Sequence, residues 1–343
     1  MNDAFYTWYN RHGRHHLPWR NTENAYHILL SEVMLQQTQV KTVLERFYFP
    51  FLEKFPTLAA LAAADRESVL KQWQGLGYYN RAVNLHKTAQ LTANGLPETV
   101  EELMELPGIG KNTAHAVAAF AYHQPVPVME ANVKRIIHRF FAQEQLTEKQ
   151  LWQYAFELLD HSNPFDYNQA MMDIGAMVCT VAQPQCLLCP LAESCKGKHQ
   201  PHAYLAAKKK KDTPVRQRVI VVFAHKDCDG VIYYHMQPRE GRFLHGLYHF
   251  SEYTLTQPIT FYNQRYDIKN HPLLGEISQT YSHFRLEAKV HQVWVAAIDE
   301  KQYWHSGKSI ANLPVSGAET KIFSLLNNGG DAQSIEVNAC VSA

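Results

Sequence analysis

The sequence predicts a multidomain protein, all-α over residues 1–206 and α+β over residues 216–343. Three observations carry this. Apolar residues recur at three-to-four spacing as far as residue 206, the period of a helix with one buried face. Beyond it they alternate or run β-branched, as strands do. Between the two lies Lys208-Lys209-Lys210-Lys211-Asp212-Thr213-Pro214, a polar, basic stretch that reads as a linker over 207–215. At 343 residues, with 46% hydrophobic and 12% aromatic residues, each part can build its own core.

Charge excludes little. The net charge is +1, and residues 1–206 hold 17 Lys and Arg against 19 Asp and Glu, so nucleic-acid binding has to be argued from local residues. The N-terminus lacks the apolar core of a secretory signal, and no run approaches the ~20 apolar residues of a membrane span. The expectation is a monomeric, cytoplasmic protein.

In chain order, helical periodicity is clear over 4–9, 28–47, 58–73 and 151–159. Helix starts are expected at Thr57, Asp65, Thr99 and Thr147, the last with Gln150 placed for a capping box. Short breaks at Gly75, Gly77, Asn94-Gly95 and Pro107-Gly108 separate the runs. In the second part, 218–224, 231–237 and 289–297 read as strands and 320–326 as a closing helix.

The stretch 106–141 organises the first part. A helix-like run ends at Leu106, and Pro107-Gly108-Ile109-Gly110 turns into a second helix starting near Lys111 and Asn112. A helix pair joined this way offers unpaired backbone N–H groups to a phosphate. A loop with Pro125 and Pro127 then delivers one carboxylate, Glu130, before a basic helix carrying Lys134, Arg135 and Arg139.

Of six cysteines, Cys179, Cys186, Cys189 and Cys195 fall within 17 residues, while Cys228 and Cys340 stand apart. Four clustered soft thiolates favour metal over disulfides and suit zinc or an iron–sulfur cluster.

Leu30-Ser31-Glu32-Val33-Met34-Leu35-Gln36-Gln37-Thr38-Gln39 closely resembles a signature of the adenine DNA glycosylases, the MutY family, within the endonuclease III superfamily. Leu17-Pro18-Trp19-Arg20, Gly75-Leu76-Gly77-Tyr78-Tyr79 and Asn168-Gln169-Ala170-Met171-Met172-Asp173 agree, and the cysteine spacing matches that superfamily's [4Fe–4S] loop. The resemblance covers nearly all of 1–206 and is looser beyond. It implies a helix-hairpin-helix DNA glycosylase domain with the hairpin element at about 99–122 and an iron–sulfur loop at 179–195, followed by a Nudix-like recognition domain. No acidic Nudix catalytic box is found in that second domain.

The implied activity is excision of adenine mispaired with 8-oxoguanine or guanine in double-stranded DNA. Loss of the base leaves a cation-like sugar and an anionic base. One carboxyl group must therefore be protonated to assist the leaving base, and a second must be ionised to face the sugar. By resemblance Glu32 is the acid, Glu130 the second carboxylate, and Asn132 orients them. The family motif reads Asp-Gly-Asn, whereas this chain has Glu130-Ala131-Asn132, one methylene longer; the alternative is a catalytically impaired lesion-binding protein. Bifunctional relatives carry a Schiff-base lysine where this chain has Asn112, so a monofunctional enzyme is expected. Read without the family, Asn112 is a helix N-cap.

A stacked base must be flipped before it is cut. The resemblance assigns Gln37 and Tyr78 to the gap, with Gln36 nearby. It assigns Leu17, Trp19, Arg20 and Gln169 to the adenine pocket, and Tyr281, Ser282 and His283 to the 8-oxoguanine, in place of a family Phe-Ser-His loop. Leu106, Gly108, Gly110, Lys111 and Asn112 would hold phosphate, with a monovalent cation at the hairpin. In the cysteine loop, 180–185 is uncharged where the family usually carries basic residues.

Overall fold

The computed structural model describes residues 3–204, 213–241, 243–296, 298 and 303–328. The linker residues 207–212 and Cys340 therefore lie outside the described residues. The chain divides into two compact units, one of Met1–Ala63 and Asn84–Lys209, the other of Ala64–Val83 and Lys210–Ala343. The segment 64–83, helical like its neighbours in sequence, thus groups with the sheet-containing unit.

The first unit is helical. Apolar periodicity over 28–47 resolves into two helices, Ala25–Leu35 and Val40–Arg46. The break between them places Gln36 and Gln37 in a turn, with Gln37 at φ 57°. The run 58–73 likewise splits into Leu58–Ala63 and Arg66–Gln72. Predicted caps form: Asp65 accepts from the Ser68 N–H at 2.7 Å, Thr99 caps Val100–Met104, and Thr147 with Gln150 closes a capping box on Glu148–Leu158.

Helices Val100–Met104 and Lys111–Ala121 are joined by the glycine hairpin. Gly108 needs its identity there: its φ is +77°, and a Cβ would meet the Asn84 side chain at 2.7 Å. The small residues Ala114, Ala116, Ala118 and Ala119 are fully buried, which lets Lys111–Ala121 sit deep in the unit against Ala25–Leu35. A core of Phe5, Tyr9, Met129, Ile136, Ile137, Leu151, Trp152 and Met171 joins Asp3–His12, Ala131–Phe140, Glu148–Leu158 and Pro164–Asp173.

The second unit is built on a mixed sheet. Its strands are β1 Val215–Lys226, β2 Ile232–His235, β3 Ser251–Tyr253, β4 Leu273–Thr280, β5 Arg285–Trp294 and β6 Trp304–Ser306. The order is β6-β2-β1-β5-β4, with β3 also on β1. The β1–β5 pairing is parallel, Val215 opposite Arg285 through Ala224 opposite Trp294, while β4 and β5 form an antiparallel hairpin. Central β1 is buried from Ile220 to Ala224, so both faces are covered. One face packs on the helix Gly317–Asn328 through Ile322, Phe323 and Leu326; the other carries Phe223, Phe261, Val293 and Trp304. No helix among the described residues is long and apolar enough to cross a membrane.

Candidate active site

Helix Ala25–Leu35 begins at Asn24, whose side chain accepts from the N–H groups of Tyr26 and His27. Its buried face, Ile28, Leu29, Leu30, Val33 and Met34, fixes the rotation that turns Glu32 into a cavity of about 180 Å³. Glu130 reaches the same cavity from the start of Ala131–Phe140. It occupies the N-cap position, yet its side chain makes no cap hydrogen bond, so its carboxyl group is not consumed by the helix end. Leu17, Trp19, Arg20, Asn132 and Gln169 line the cavity too. All seven residues assigned from sequence to catalysis or the base pocket are thus gathered in one place, within the first unit. Arg14, Ser31, Thr38, Phe120 and Met172, not singled out from sequence, also contribute to its wall.

The segment before Glu130 is held by two amides. Asn112 Oδ1 accepts from the Met129 N–H at 2.8 Å. Asn168 Oδ1 accepts from the Val128 N–H at 2.8 Å, while its Nδ2 donates to the carbonyls of Val126 and Pro164. This corrects the N-cap reading of Asn112: the cap is Gly110, and the Asn112 side chain positions the backbone next to Glu130 instead.

Burial raises the pKa of both carboxyl groups. For Glu32, burial is the main cause, the Glu130 charge adds to it and the Arg20 charge opposes it. For Glu130, burial is opposed by the Arg14 charge. Two carboxyls close enough to couple cannot both ionise freely, so the pair titrates as a unit and tends to retain one proton.

Asp173 supplies the counter-charge behind the cavity and was not assigned a role from sequence. It is fully buried and bonded to Arg20 by two contacts of 2.6 and 2.8 Å and to the Arg14 Nε at 2.6 Å. Burial pushes its pKa up, but the Arg20 hydrogen bonds and charge outweigh this and hold it below the ordinary carboxylate range. The signal was present in the quoted stretch 168–173, but its partners lie about 150 positions away.

The polar side chains around the cavity and the hairpin have these partners within the protein. Asn132 Oδ1 accepts from Arg135 at 2.8 Å. Gln169 lines the cavity, and its Oε1 accepts from the Tyr9 hydroxyl at 2.8 Å. The basic side chains of Ala131–Phe140 have intramolecular partners: Lys134 pairs with Glu148 at 3.0 Å on the surface, while Arg135 and Arg139 bind carbonyls of the cysteine loop. Gln36 bonds Thr113 and Gln37 is exposed. Gly108, Gly110 and Lys111 are exposed at the hairpin, where Lys111 Nζ lies 4.0 Å over the Trp152 ring. Leu106 is half-buried, and its carbonyl accepts from Ile109.

In the second unit, Tyr78 is 43% exposed with φ 49°, a left-handed conformation costly for a tyrosine. Ser282 and His283 are exposed at the tip of the β4–β5 hairpin, which is closed by the Tyr281 N–H donating to Phe284 at 2.9 Å.

Cys179, Cys186, Cys189 and Cys195 line a single small cavity of about 20 Å³ together with Arg139 and Lys198. The helix Pro164–Asp173 widens into a π-turn, Ile174–Val178, that ends at Cys179. Buried Arg139 donates to Cys179 Sγ at 3.2 Å. Burial pushes the Cys189 thiol up to about 12. Among the described residues, no three His, Cys, Asp or Glu side chains are gathered closely enough to hold one metal ion.

Residues 30–160 match the model of the HhH-GPD superfamily of base excision DNA repair proteins. Over this stretch the helical part of the chain is similar to that superfamily. The chain is 40% identical over 199 residues to an adenine DNA glycosylase of Buchnera aphidicola subsp. Baizongia pistaciae, covering 55% of this chain and 56% of the relative. It is 40% identical over 212 residues to the Homo sapiens adenine DNA glycosylase, covering 57% of this chain and 38% of that one. The match thus spans about half or less of these relatives' length. Among solved structures, a thermostable thymine-DNA glycosylase superposes with TM-score 0.53 at 28% identity, over 57% of this chain and 94% of that one. An endonuclease III–DNA complex, at 22% identity and TM-score 0.50 over 58% of this chain and 93% of that one, has a similar fold.

Proposed function

We propose that this chain is a monofunctional adenine DNA glycosylase of base excision repair, acting on adenine opposite 8-oxoguanine or guanine in double-stranded DNA. The observation that carries the reading is the convergence of Glu32 and Glu130 on one cavity whose other polar walls include Arg14, Arg20, Asn132 and Gln169. Sequence identity to the adenine DNA glycosylases supports the substrate.

In this mechanism the flipped adenine enters the cavity between Leu17, Trp19 and Gln169. Glu32, kept protonated by burial and by Glu130, gives its proton to a ring nitrogen of the base. The N-glycosidic bond breaks and its electron pair leaves with adenine. Glu130, ionised and steadied by Arg14, faces the positive sugar. A water then bonds to the sugar carbon and returns its proton to Glu32. Asn112, at the position of the family's Schiff-base lysine, has no amine to trap the sugar, which supports base release without strand cleavage.

Gln37 and Tyr78 are assigned to the space left by the base, with Gln36 beside them, and Tyr281, Ser282 and His283 to the opposite 8-oxoguanine. Residues 216–343 serve 8-oxoguanine recognition as a Nudix-like domain. The hairpin 106–110 is assigned to phosphate and a monovalent cation. The proposed covalent boundary stays at 207–215, and the expected state is a monomer acting on cytoplasmic, nucleoid DNA.

The four cysteines suit a [4Fe–4S] cluster: they line one cavity, and Arg139 and Lys198 offer positive charge to thiolates. Cys179, Cys186, Cys189 and Cys195 would hold it, and it would cross-link the loop chemically. Arg135 and Arg139 tie that loop to the helix that starts at Glu130.

The test is single-turnover adenine release from an 8-oxoguanine:adenine duplex by the parent, Glu130→Asp and Glu130→Gln. The reading expects the Gln variant to lose activity. If the parent binds the lesion tightly but releases no adenine while Glu130→Asp does, the protein is a lesion binder impaired by the longer side chain.

A further inference from the structure

The sheet-containing unit carries two features assigned above to lesion recognition, and a buried polar chain joins them. The first is the turn 75–79, which presents Tyr78. The second is the β4–β5 hairpin, which presents Ser282 and His283. The residue after Tyr78, Tyr79, is only 6% exposed, and its hydroxyl donates to the Val315 carbonyl at 3.0 Å. The Gly75 N–H donates back to the same hydroxyl at 3.4 Å, so the turn is closed on the ring that anchors it.

The next residue, Ser316, is buried, and its Oγ lies 3.1 Å from the Tyr281 hydroxyl at the base of the hairpin. Ser316 also donates to the buried Glu319 carboxylate, which pairs with Arg239 at 3.3 Å. Arg239 in turn bonds Glu252 at 3.2 Å on β3. Tyr281 is packed edge-on against Phe243 and beside Phe284, with ring centroids 5.1 Å away in each case. The family's phenylalanine at position 281 could fill that space but could not reach Ser316. Here the added hydroxyl has a buried partner.

Further contacts fix the same seam. Tyr248 donates to Glu67 at 2.9 Å, Arg66 to the His245 carbonyl at 3.3 Å, and Lys71 to the carbonyls of Ala311 and Leu313. The segment 64–83 is thereby fastened to the loops 245–248 and 311–316 rather than resting on them.

We propose that Tyr79 and Ser316 are positioning residues that lock the Tyr78 turn to the 8-oxoguanine hairpin, so that the two read the lesion as one rigid element. This rests on the reading of Tyr78 and Ser282 as lesion contacts. A rigid link is a source of coupling: residues held in one network respond non-additively to substitution, whereas independent ones add. Deleting the Tyr79 hydroxyl keeps the ring in its pocket but frees the turn from Val315. Deleting the Ser316 hydroxyl frees Tyr281 at the other end.

The experiment measures duplex affinity with 8-oxoguanine or guanine opposite a non-hydrolysable adenine analogue, and takes the ratio of the two Kd values. Tyr78→Ala, Ser282→Ala and their combination are compared in the full-length parent and in the Tyr79→Phe background, with Ser316→Ala as a second background if the first does not fold. The proposal expects the two losses of discrimination to be non-additive in the parent by roughly fivefold, and to become additive in either background. Additive losses in the parent, or full coupling surviving both backgrounds, overturn the lock while leaving the lesion contacts standing. If neither Tyr78→Ala nor Ser282→Ala alters the ratio, the assignment of these surfaces to the lesion fails, and the lock fails with it.

Discussion

Asp173→Asn is the most informative single change outside Glu32 and Glu130. The Asp173 carboxylate is the buried counter-charge of both Arg14 and Arg20, whose side chains are 24% and 5% exposed. An amide keeps the shape but leaves the guanidinium of Arg20 buried without its partner. Breaking such a pair costs about 3–5 kcal/mol, and the exposed part of Arg14 adds little. For a unit of this size that is a fall in Tm of roughly 6–20 °C, readable by circular dichroism. The sign with pH follows from the direction of the shift. Asp173 is held below the ordinary carboxylate range, so its stabilisation is present above that range and disappears as pH falls through the lower, folded value. The Asn variant should lose that acid dependence. It should also leave more uncompensated positive charge facing Glu32 and Glu130, lower their pKa values, and shift the alkaline limb of adenine release to lower pH. A Tm within about 2 °C of the parent with an unmoved alkaline limb would refute the role given to Asp173.

Other outcomes follow from the same geometry. Adenine release in the parent should fall as pH rises through about 8, because Glu32 must be protonated to act and its pKa is raised to that region by burial and by Glu130; a rate flat to pH 9 would contradict this. The stability part has the same sign, since the folded state holds a proton that the unfolded chain releases at its ordinary carboxylate pKa, and this contribution declines as pH rises. Asn168→Leu removes three hydrogen bonds around the segment 126–130. With two backbone groups left unsatisfied at about 1–3 kcal/mol each, it should lower both Tm and the single-turnover rate, and an unchanged rate would show that this segment does not set Glu130's position. Cys189→Ser should reduce bound iron and sulfide in the purified protein and destabilise the cysteine loop; retention of both would argue against the cluster.

The helical half was readable because its signals are local. Caps at Asp65, Thr99 and Thr147 depend on residues within one turn, and the structure forms each of them. The positive φ values of Gly75, Gly77 and Gly108 fall on glycines in turns that the residue types mark. Long apolar runs were less reliable. Periodicity over 28–47 and 58–73 does not reveal that each run bends, since both resulting helices keep the same spacing.

The sequence alone determined the two structural classes, the hairpin, and the short list of acids, cysteines and pocket residues. These follow from periodicity, turn chemistry and motifs a few residues long, or from resemblance to a family that carries them. Only the tertiary structure decided who meets whom. It turned Asn112 from a supposed helix cap into a support for Met129, and directed Arg135 and Arg139 toward the cysteine loop. It also made Asp173 the counter-charge of the cavity and joined Tyr79 to the loop that holds Ser316. The physical reason is range: caps and turns are settled by neighbours in sequence, whereas buried polar groups must find partners wherever packing brings them, and no local pattern records that choice.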